Sequence, residues 1–291
     1  MSAPELPPDV RPLYPFASHW LETPGGRLHY VDEGPRDAPA AVVCVHGNPT
    51  WSFFYRDVIK TLAPRFRVVA PDHLGCGLSD KPQDFPYRLA DHIENLARLV
   101  ATIKQPVIHF IVHDWGGAIG LGVAAQIAER VGKLVVMNTA AFQGPCPARI
   151  RVCRWPVVGP LLVRGLNGFA GPAAHMAVTK PLPSAVRRGF LWPYRSWADR
   201  VAVLRFVQDI PLETNHPSRG TLQTVEAGLE KLRDKPMLLA WGMQDFCFTP
   251  AYLAEWRRRF PRAAVRECPD AGHYLLEDAG AALLSQIAGF Y

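Results

Sequence analysis

One aspartate, Asp114, stands where the sequence best supports nucleophilic chemistry. An apolar run at 107–112 precedes it, and a run rich in small residues at 116–120 follows it. This pattern predicts a buried strand, a sharp turn and a helix, the arrangement of a nucleophile elbow. Such a turn lifts its central side chain above the sheet edge. Asp114 is therefore a candidate nucleophile, although an isolated aspartate before a helix more often caps that helix.

Three other polar residues favour the catalytic interpretation. Asn48, Asp245 and His273 each follow a short apolar run that predicts a strand. Parallel sheets bind their ligands at the carboxyl ends of the strands, so these residues are expected to meet near Asp114. The chain order nucleophile, acid, histidine is that of an α/β-hydrolase, and four such signals together are hard to obtain by chance.

Each residue of this set has a physical role. Asp114 would attack carbon and form an ester, which divides one hard displacement into two easier steps. His273, with an ordinary pKa of about 6.5, can activate a water molecule near neutral pH. Asp245 would orient that imidazole and stabilise its charged form. The backbone N–H groups of Asn48 and Trp115 would hold the oxyanion during ester hydrolysis.

The apolar pattern predicts an alternating series of strands and helices. Residues 27–32 alternate in polarity like an antiparallel strand, whereas 41–45 is continuously apolar, like a strand covered on both faces. Helical spacing is clearest at 89–103. This alternation is typical of an α/β fold with right-handed βαβ units. The other predicted strands are 67–70, 107–112, 133–138, 236–241 and 264–267, and the other predicted helices are 118–130, 250–260 and 280–290.

A block rich in Pro, Gly, Arg and Trp interrupts this alternation. It begins near residue 143, has several helix-compatible stretches and shows no clear strand until 236. We therefore predict a core formed by 1–142 and 223–291, with a helical cap inserted at 143–222. The large apolar residues that could line a pocket there, among which the sequence does not choose, are Phe142, Trp155, Phe169, Phe190, Trp192 and Trp197.

Length and charge limit the classes of function. The chain has 291 residues, 48% of them hydrophobic, and a net charge of +6. That is enough for one large domain or a domain with an insertion. Arginines are concentrated in the middle third, but no nucleic-acid motif accompanies them, so solvated helix faces are expected and no nucleic-acid partner. A negatively charged substrate or a lipid surface stays open.

Cysteine usage and the chain start indicate a cytoplasmic protein. The six cysteines form no CxxC pair and no zinc-like spacing, so neither disulfides nor a metal are expected. The first residues lack the basic start and apolar run of a signal peptide. No stretch approaches the roughly 20 apolar residues of a transmembrane segment.

Four segments resemble the haloalkane dehalogenase family of the α/β-hydrolase superfamily. They are 46–52 (HGNPTWS), 71–80 (PDHLGCGLSD), 113–117 (HDWGG) and 272–278 (GHYLLED). The resemblance implies an α/β-hydrolase fold, with a mostly parallel eight-stranded sheet flanked by helices and an inserted helical cap. It implies Asp114 as nucleophile, His273 as base and a halide site formed by the side chains of Asn48 and Trp115. The acid at Asp245 is similar to that of the subgroup with an Asp-His-Asp set.

The halide site also agrees with elementary chemistry. A departing halide is a large, soft anion, and an indole N–H with a carboxamide N–H can stabilise it in a dry pocket. The favoured prediction is hydrolytic dehalogenation of haloalkanes to alcohol and halide through an alkyl ester of Asp114. The substrate would be small and apolar, water would be the second substrate, and neither a cofactor nor a metal is needed.

A second family resembles the chain almost as well. Segments 138–142, 196–200 and 205–212 are similar to the β-lactone decarboxylase of bacterial long-chain olefin biosynthesis, which keeps the same Asp, His, Asn and Trp. That resemblance implies a cis-dialkyl oxetan-2-one substrate, converted to an olefin with loss of carbon dioxide. The basic, apolar cap would then face an apolar long-chain substrate or another enzyme of the pathway. Self-association of the protein is a further open alternative.

Other activities receive less support. Epoxide hydrolases share the aspartate nucleophile, but their typical pattern has an aromatic residue after His-Gly, which corresponds to position 48 here, and two tyrosines in the cap. Here position 48 is Asn, and Tyr194 is the only tyrosine between 143 and 230. The chain has no Gly-x-Ser-x-Gly, which excludes a serine esterase. A non-catalytic binding protein with this fold would have no need for all five chemical positions.

Overall fold

Eight strands form a single sheet in the computed structural model, which describes residues 5–291. In chain order they are β1 (His19–Thr23), β2 (Gly26–Glu33), β3 (Ala40–Val45), β4 (Arg67–Pro71), β5 (Val107–Asp114), β6 (Val131–Thr139), β7 (Met237–Gly242) and β8 (Ala264–Cys268). Their order across the sheet is β1-β2-β4-β3-β5-β6-β7-β8. The pairs β1–β2 and β2–β4 are antiparallel, and all later neighbours are parallel. The prediction of a mostly parallel eight-stranded sheet is confirmed.

Helices fill the connections between these strands. They are α1 (Arg56–Leu62), α2 (Leu89–Ala101), α3 (Trp115–Gln126), α4 (Ala148–Val152), α5 (Val158–Pro160), α6 (Ala170–Met176), α7 (Ser184–Leu191), α8 (Val201–Gln208), α9 (Arg219–Gly228), α10 (Pro250–Arg259) and α11 (Leu275–Phe290). A π-helical turn at Leu161–Gly165 continues directly from α5. Gly280 interrupts α11 with a φ of 48°.

The apolar runs became strands because helices cover both faces of the sheet. In β3, Ala41, Val43 and Val45 pack on one face, in a cluster that includes side chains of α2, α3 and α9. The alternate residues of β3 pack on the opposite face, with side chains of α1 and α11. A strand buried on both faces has no solvent-exposed face where polar residues would be favoured, which explains its continuous apolar sequence.

One strand of the core, β1, was not predicted, and two helices, α1 and α11, were predicted only in part. β1 pairs with β2 at the edge of the sheet, and its side chains are mostly half-buried, so its sequence lacks a clear alternation. The sequence of the short helix α1 also shows no clear helical spacing of apolar residues. The closing helix was predicted from residue 280, whereas α11 begins at Leu275 and is interrupted at Gly280.

All regular elements between β6 and β7 are helical, α4 to α9. Side chains of α4 and α8, with Val163 and Tyr194, form a hydrophobic cluster separate from the two that cover the sheet. The proposed end of the cap, residue 222, falls inside α9, and Leu222 and Val225 of that helix pack with core residues. The extent 143–222 therefore stays a proposal, with its second boundary inside a helix that touches the core.

Within residues 5–291, no helix is both long enough and apolar enough to cross a membrane.

Candidate active site

Asp114 occupies a sharp turn between β5 and α3. Its backbone has a φ of 53° and a ψ of −129°, a conformation that non-glycine residues rarely adopt. Close backbone approach around the turn requires small residues. A Cβ on Gly116 would lie 2.0 Å from the Val45 carbonyl oxygen, and one on Gly117 would lie 1.9 Å from Thr139 Oγ1. The strained turn places the carboxylate at the carboxyl edge of the sheet.

The loop after β3 holds one side of this carboxylate. The backbone N–H of Asn48 donates to Asp114 Oδ1 at 2.6 Å, and the N–H of Trp115 lies near enough to the carboxylate to act against the rise in its pKa. A Cβ on Gly47 would lie 2.0 Å from Asp114 Oδ1, so only glycine permits this approach. The two N–H groups expected to form an oxyanion hole therefore both face Asp114.

His273 lies between two carboxylates. Its Nδ1 donates to Asp245 Oδ2 at 2.8 Å, because an ionised carboxylate can only accept. Its Nε2 lies 3.6 Å from Asp114 Oδ2, which is too long for a direct hydrogen bond. The imidazole is thus oriented by Asp245, with Nε2 facing the nucleophile, and the three predicted residues come together at one sheet edge.

Burial and charge oppose each other in the pKa of His273. Burial lowers this pKa, but the nearby charges of Asp245 and Asp114 raise it more, so it lies above 6.5. Burial raises the pKa of Asp114 above 3.8, although the charge of His273 and the two backbone N–H groups act against that shift. An imidazole in this setting can exchange a proton near neutral pH.

Asn138, at the end of β6, holds the acid in place. Its Nδ2 donates to Asp245 Oδ2 at 2.9 Å and to the Gly242 carbonyl at 3.1 Å, while its Oδ1 accepts from Gly242 N at 2.7 Å. The N–H of Cys247 donates to Asp245 Oδ1 at 2.6 Å. This role was missed from the sequence, although a polar residue ending a predicted strand was an available signal.

His113 supports the base from beneath. Its Nε2 donates to the His273 carbonyl oxygen at 2.9 Å, and its ring lies 4.5 Å from those of Phe54 and His273. Burial and the neighbouring His273 hold the pKa of His113 well below 6.5, so the ring is neutral. The sequence alone gave no reason to distinguish this histidine from a core residue.

A cavity of about 390 Å³ opens above these groups. Asn48, Asp114, Trp115 and His273 line its polar end. Mostly apolar side chains of the cap, of α2 and α9, and of the segment after β7 line the rest. A bare carboxylate at one end of an apolar chamber is suited to attack on an apolar electrophile.

The pocket aromatics differ from the sequence candidates. Phe142 and Phe169 line the cavity, whereas Phe190 packs against Phe53 and Tyr274. Trp192, Trp155 and Trp197 are absent from the lining within residues 5–291, and the last two are 57% and 45% exposed. Large apolar side chains in a helical insertion can face its own interior or its outer surface, and their type does not distinguish the two.

The two side chains proposed to bind an anion, Asn48 and Trp115, differ in the contacts that they already make with other residues. Asn48 Nδ2 donates to the Val203 carbonyl of α8 at 3.1 Å, and its Oδ1 is buried without a partner among residues 5–291. An amide nitrogen carries two hydrogens, so one remains for a ligand. The Trp115 ring is half-buried at the cavity and packs against Phe206.

Other chemistries find little support in this arrangement. Tyr194 is buried outside the cavity lining, and its hydroxyl donates to the Thr50 carbonyl, so it is not presented to a bound epoxide. In the part of the chain that the structure describes, no three His, Cys, Asp or Glu side chains assemble as a metal site would require.

Comparison with known proteins agrees with this geometry. The chain is 41% identical over 286 residues to a cis-3-alkyl-4-alkyloxetan-2-one decarboxylase of Shewanella oneidensis, covering 96% of this chain and 89% of that protein. It is 35% identical to haloalkane dehalogenase 2 of Mycobacterium bovis, with 94% of each chain covered. The tetrameric structure of haloalkane dehalogenase DpaA from Paraglaciecola agarilytica matches with a TM-score of 0.81 at 26% identity, covering 98% of this chain and 97% of that one.

The family model described as alpha/beta hydrolase fold matches residues 40–280, which include every residue of the predicted site. The relatives are named as enzymes, and the solved dehalogenase structure shares the fold found here. The chain belongs to the alpha/beta hydrolase fold family, in the group that contains haloalkane dehalogenases and oxetan-2-one decarboxylases.

Proposed function

We propose that this protein converts cis-3-alkyl-4-alkyl β-lactones to olefins with release of carbon dioxide. The observation that carries the proposal is the 41% identity, over nearly the whole chain, to a decarboxylase of that substrate class. This identity exceeds the 35% shared with the dehalogenase. Decarboxylation therefore replaces dehalogenation, which the sequence analysis favoured, as the first candidate. The apolar cavity above Asp114 supports a substrate with alkyl arms.

In the first step, Asp114 opens the lactone ring. Its Oδ2, which does not accept from the Asn48 N–H, attacks C4, the alkyl-bearing ring carbon bonded to the ring oxygen, from the face opposite that oxygen. The new ester bond forms as the ring carbon–oxygen bond breaks, and the electron pair leaves with the oxygen as a free carboxylate. The remaining N–H of Asn48 and the indole N–H of Trp115 are suited to stabilise that anion.

In the second step, the carboxylate leaves as carbon dioxide. The bond between the carboxylate and C3, the former ring carbon next to C4, breaks, its electron pair forms the C3–C4 double bond, and the Asp114 carboxylate is expelled from C4 in its original state. Attack and expulsion both occur opposite the breaking bond, so a cis lactone gives a cis olefin. No water is consumed, and no proton is gained or lost.

Haloalkane hydrolysis is the second candidate, and the His273–Asp245 pair favours it. Decarboxylation does not require a base, whereas an Asp114 ester formed by displacing halide must be hydrolysed. His273 Nε2 lies 3.6 Å from Asp114 Oδ2, where a water between them can be deprotonated. That water would attack the carbonyl carbon of Asp114, and the N–H groups of Asn48 and Trp115 would stabilise the oxyanion.

Isotope labelling separates the two routes. Purified protein is incubated in heavy-oxygen water with a synthetic cis-dialkyl β-lactone and, separately, with 1,2-dibromoethane, and olefin, bromide and the mass of the Asp114 peptide are measured. We expect olefin without labelled Asp114 from the lactone. Bromide release would be accompanied by labelled Asp114, because water attacks the aspartyl carbonyl.

Two variants provide the controls. Asp114→Asn should abolish both reactions. His273→Ala should accumulate an alkyl ester with dibromoethane while still forming olefin from the lactone. Absence of olefin from the wild-type protein, or olefin formation unchanged in Asp114→Asn, would contradict the proposal.

A further inference from the structure

Exposed large apolar side chains are concentrated in the cap. Across residues 5–291 they all fall between 155 and 197, namely Trp155, Val157, Val158, Leu161, Leu166, Met176 and Trp197. Met176 lines the cavity and belongs to the site already described. Scattered apolar residues on a surface need no explanation, but a group confined to one segment does.

The other six residues, which we call the apolar cap face, lie along two connected stretches. Trp155 to Leu166 runs through α5 and the π-helical turn without leaving the cap. Arg164 connects this stretch to Trp197, since its guanidinium lies 4.7 Å above the indole and its Nε donates to the Trp197 carbonyl. The most exposed residue of the face is Leu166, at 79%.

The region around this face is strongly basic. Residues 143–198 contain eight Lys and Arg and no Asp or Glu, whereas the whole chain has 32 and 26. Arg164 and Arg205 bond to neutral groups, such as Gln83 and Gln208, rather than to carboxylates. Burial and the nearby charges of Arg205 and Arg200 lower the pKa of Arg164, which indicates crowded like charge.

These features favour an anionic bilayer over a protein as the occupant. Exposed tryptophan and leucine beside unpaired arginine are the composition of surfaces that sit at the headgroup level of acidic membranes. A second copy of this chain would place the same positive charge against itself in a two-fold contact. Protein interfaces of ordinary type also pair their charges or exclude them from the centre.

The face borders the chain segments that enclose the cavity. Ile150 and Cys153, which line the cavity, come just before Trp155 in the chain. Gly168 and Phe169, also in the lining, come just after Leu166. The apolar cap face is therefore formed by chain segments that continue directly into the wall of the cavity.

We propose that the apolar cap face docks on the surface of an anionic lipid bilayer. Trp155, Trp197 and the leucines insert at the headgroup level, and Arg151, Arg164 and Arg205 face the negative lipid charges. This docking does not depend on which of the two reactions the site performs, because it is a property of the outer surface.

Vesicle flotation tests the proposal directly. The full-length protein is mixed with vesicles of phosphatidylcholine alone or with phosphatidylglycerol added, and the bound fraction is measured at increasing salt. We expect binding to the anionic vesicles that weakens as salt rises, and little binding to the neutral ones. Failure of the wild-type protein to bind anionic vesicles would overturn the proposal.

Matched variants locate the surface. Arg164→Gln with Arg205→Gln should weaken binding to anionic vesicles by about tenfold or more, and Leu161→Ser with Leu166→Ser should weaken it at every salt concentration. Arg257→Gln with Arg262→Gln removes the same charge outside the cap and should leave binding unchanged. Equal losses in the control, or full binding by both cap variants, would overturn the proposal.

Two further measurements distinguish lipid docking from misfolding and from self-association. The thermal unfolding midpoint of the cap variants, and their turnover of a short-chain cis-dialkyl β-lactone without vesicles, should match the wild type, since none of the substituted residues lines the cavity. Sedimentation should give the same mass for all variants. If the cap variants instead dissociated an oligomer while vesicle binding stayed unchanged, the face would be an interface between copies and the proposal would be wrong.

Discussion

The orientation of His273 depends on how firmly Asp245 is held. Asp245 is 3% exposed, and its two carboxylate oxygens accept from His273, Asn138 and Cys247. Asn138 also pairs with both backbone groups of Gly242. A single amide thus joins the end of β6, the end of β7 and the catalytic acid.

Removal of this amide should impair stability and turnover together. Asn138→Ala leaves the Gly242 N–H and carbonyl without their partner, at a cost of about 1–3 kcal/mol. A misplaced Asp245 should also lower the kcat of haloalkane hydrolysis, the reaction that needs His273 as base, by about tenfold to a hundredfold. Urea unfolding and steady-state kinetics measure the two effects.

Asn95→Ala is the matched control for this substitution. Asn95 is also buried, but its Nδ2 has no partner among residues 5–291 and it lies in α2, outside the cavity lining. Its kcat should remain that of the wild type. An equal loss of kcat in both variants would refute the positioning role of Asn138.

Replacement of Asp245 by Asn should shift the pH dependence of haloalkane hydrolysis. Hydrolysis requires neutral His273, and the charge of Asp245 helps to raise the pKa of His273 above 6.5. In Asp245→Asn the pKa falls, so the remaining activity should reach half its maximum at a lower pH than in the wild type. The pH profile of kcat measures this shift, and an unchanged or higher midpoint would contradict it.

The same pKa has a consequence for stability. Because the folded-state pKa of His273 is raised, its protonation stabilises the fold fully below pH 6.5, and this contribution is lost as the pH rises through the folded value. Asp245→Asn should therefore cost more stability below pH 6.5 than in alkaline solution. Urea unfolding of the wild type and of the variant, below pH 6.5 and in alkaline solution, shows in which condition the loss of stability is larger.

Whether the position of a site residue could be predicted from the sequence depends on how far apart in the chain its contacts are. Asp114, Asp245 and His273 were placed correctly near one another because each follows a strand, and parallel strands bring their ends together. The Asn48 carboxamide donates to the carbonyl of Val203, 155 residues away, and the sequence gave no sign of this contact. No local pattern encodes a contact between a core loop and a helix of the cap.

At the scale of elements, the loop after β3 must pass very close to the elbow. A Cβ at position 47 would meet the carboxylate and the Cβ of Asp114 at 2.0 and 2.4 Å. Gly47→Ala should therefore move the loop and displace the Asn48 N–H from Asp114 Oδ1. Activity should fall by about a hundredfold.

A glycine with open surroundings provides the comparison. Gly220, in the first turn of α9, has no atom within 4 Å of the site of a Cβ. Gly220→Ala should keep full activity and gain up to about 1 kcal/mol of stability, since alanine favours helix. Kinetics and urea unfolding of both variants measure this, and comparable activity in Gly47→Ala would show that the loop tolerates the shift.

The success of the element predictions depends on burial. The parallel strands were recognised because both of their faces are covered and their apolar runs are continuous. β1 was missed because it gains its order from pairing with β2 at an edge, not from its own sequence. The first part of α11 was missed because Gly280 suggested a start where the helix in fact has a break.

At the scale of the whole molecule, one ion pair connects distant parts of the core. Arg56 of α1 forms a bidentate pair with Glu277 in the first turn of α11, at 2.6 and 2.8 Å. Both side chains are over nine-tenths buried, and 221 residues separate them. The pair anchors α11, the helix that starts two residues after His273.

Loss of one partner should be costly, because the other charge stays buried. Glu277→Ala is expected to reduce the free energy of unfolding by about 3–5 kcal/mol. Glu230→Ala removes a carboxylate from an exposed pair with Arg233, and should cost about 1 kcal/mol or less. Urea denaturation of both variants measures the difference, and similar costs would argue against a structural role for the buried pair.

The position of the cap within the chain separates the nucleophile from its base. Asp114 belongs to the first half of the chain, whereas Asp245 and His273 arrive with β7 and β8, after every helix of the cap. A polypeptide emerging from the ribosome therefore contains the proposed nucleophile well before the proposed base. The same late strands thus complete both the sheet and the proposed catalytic set.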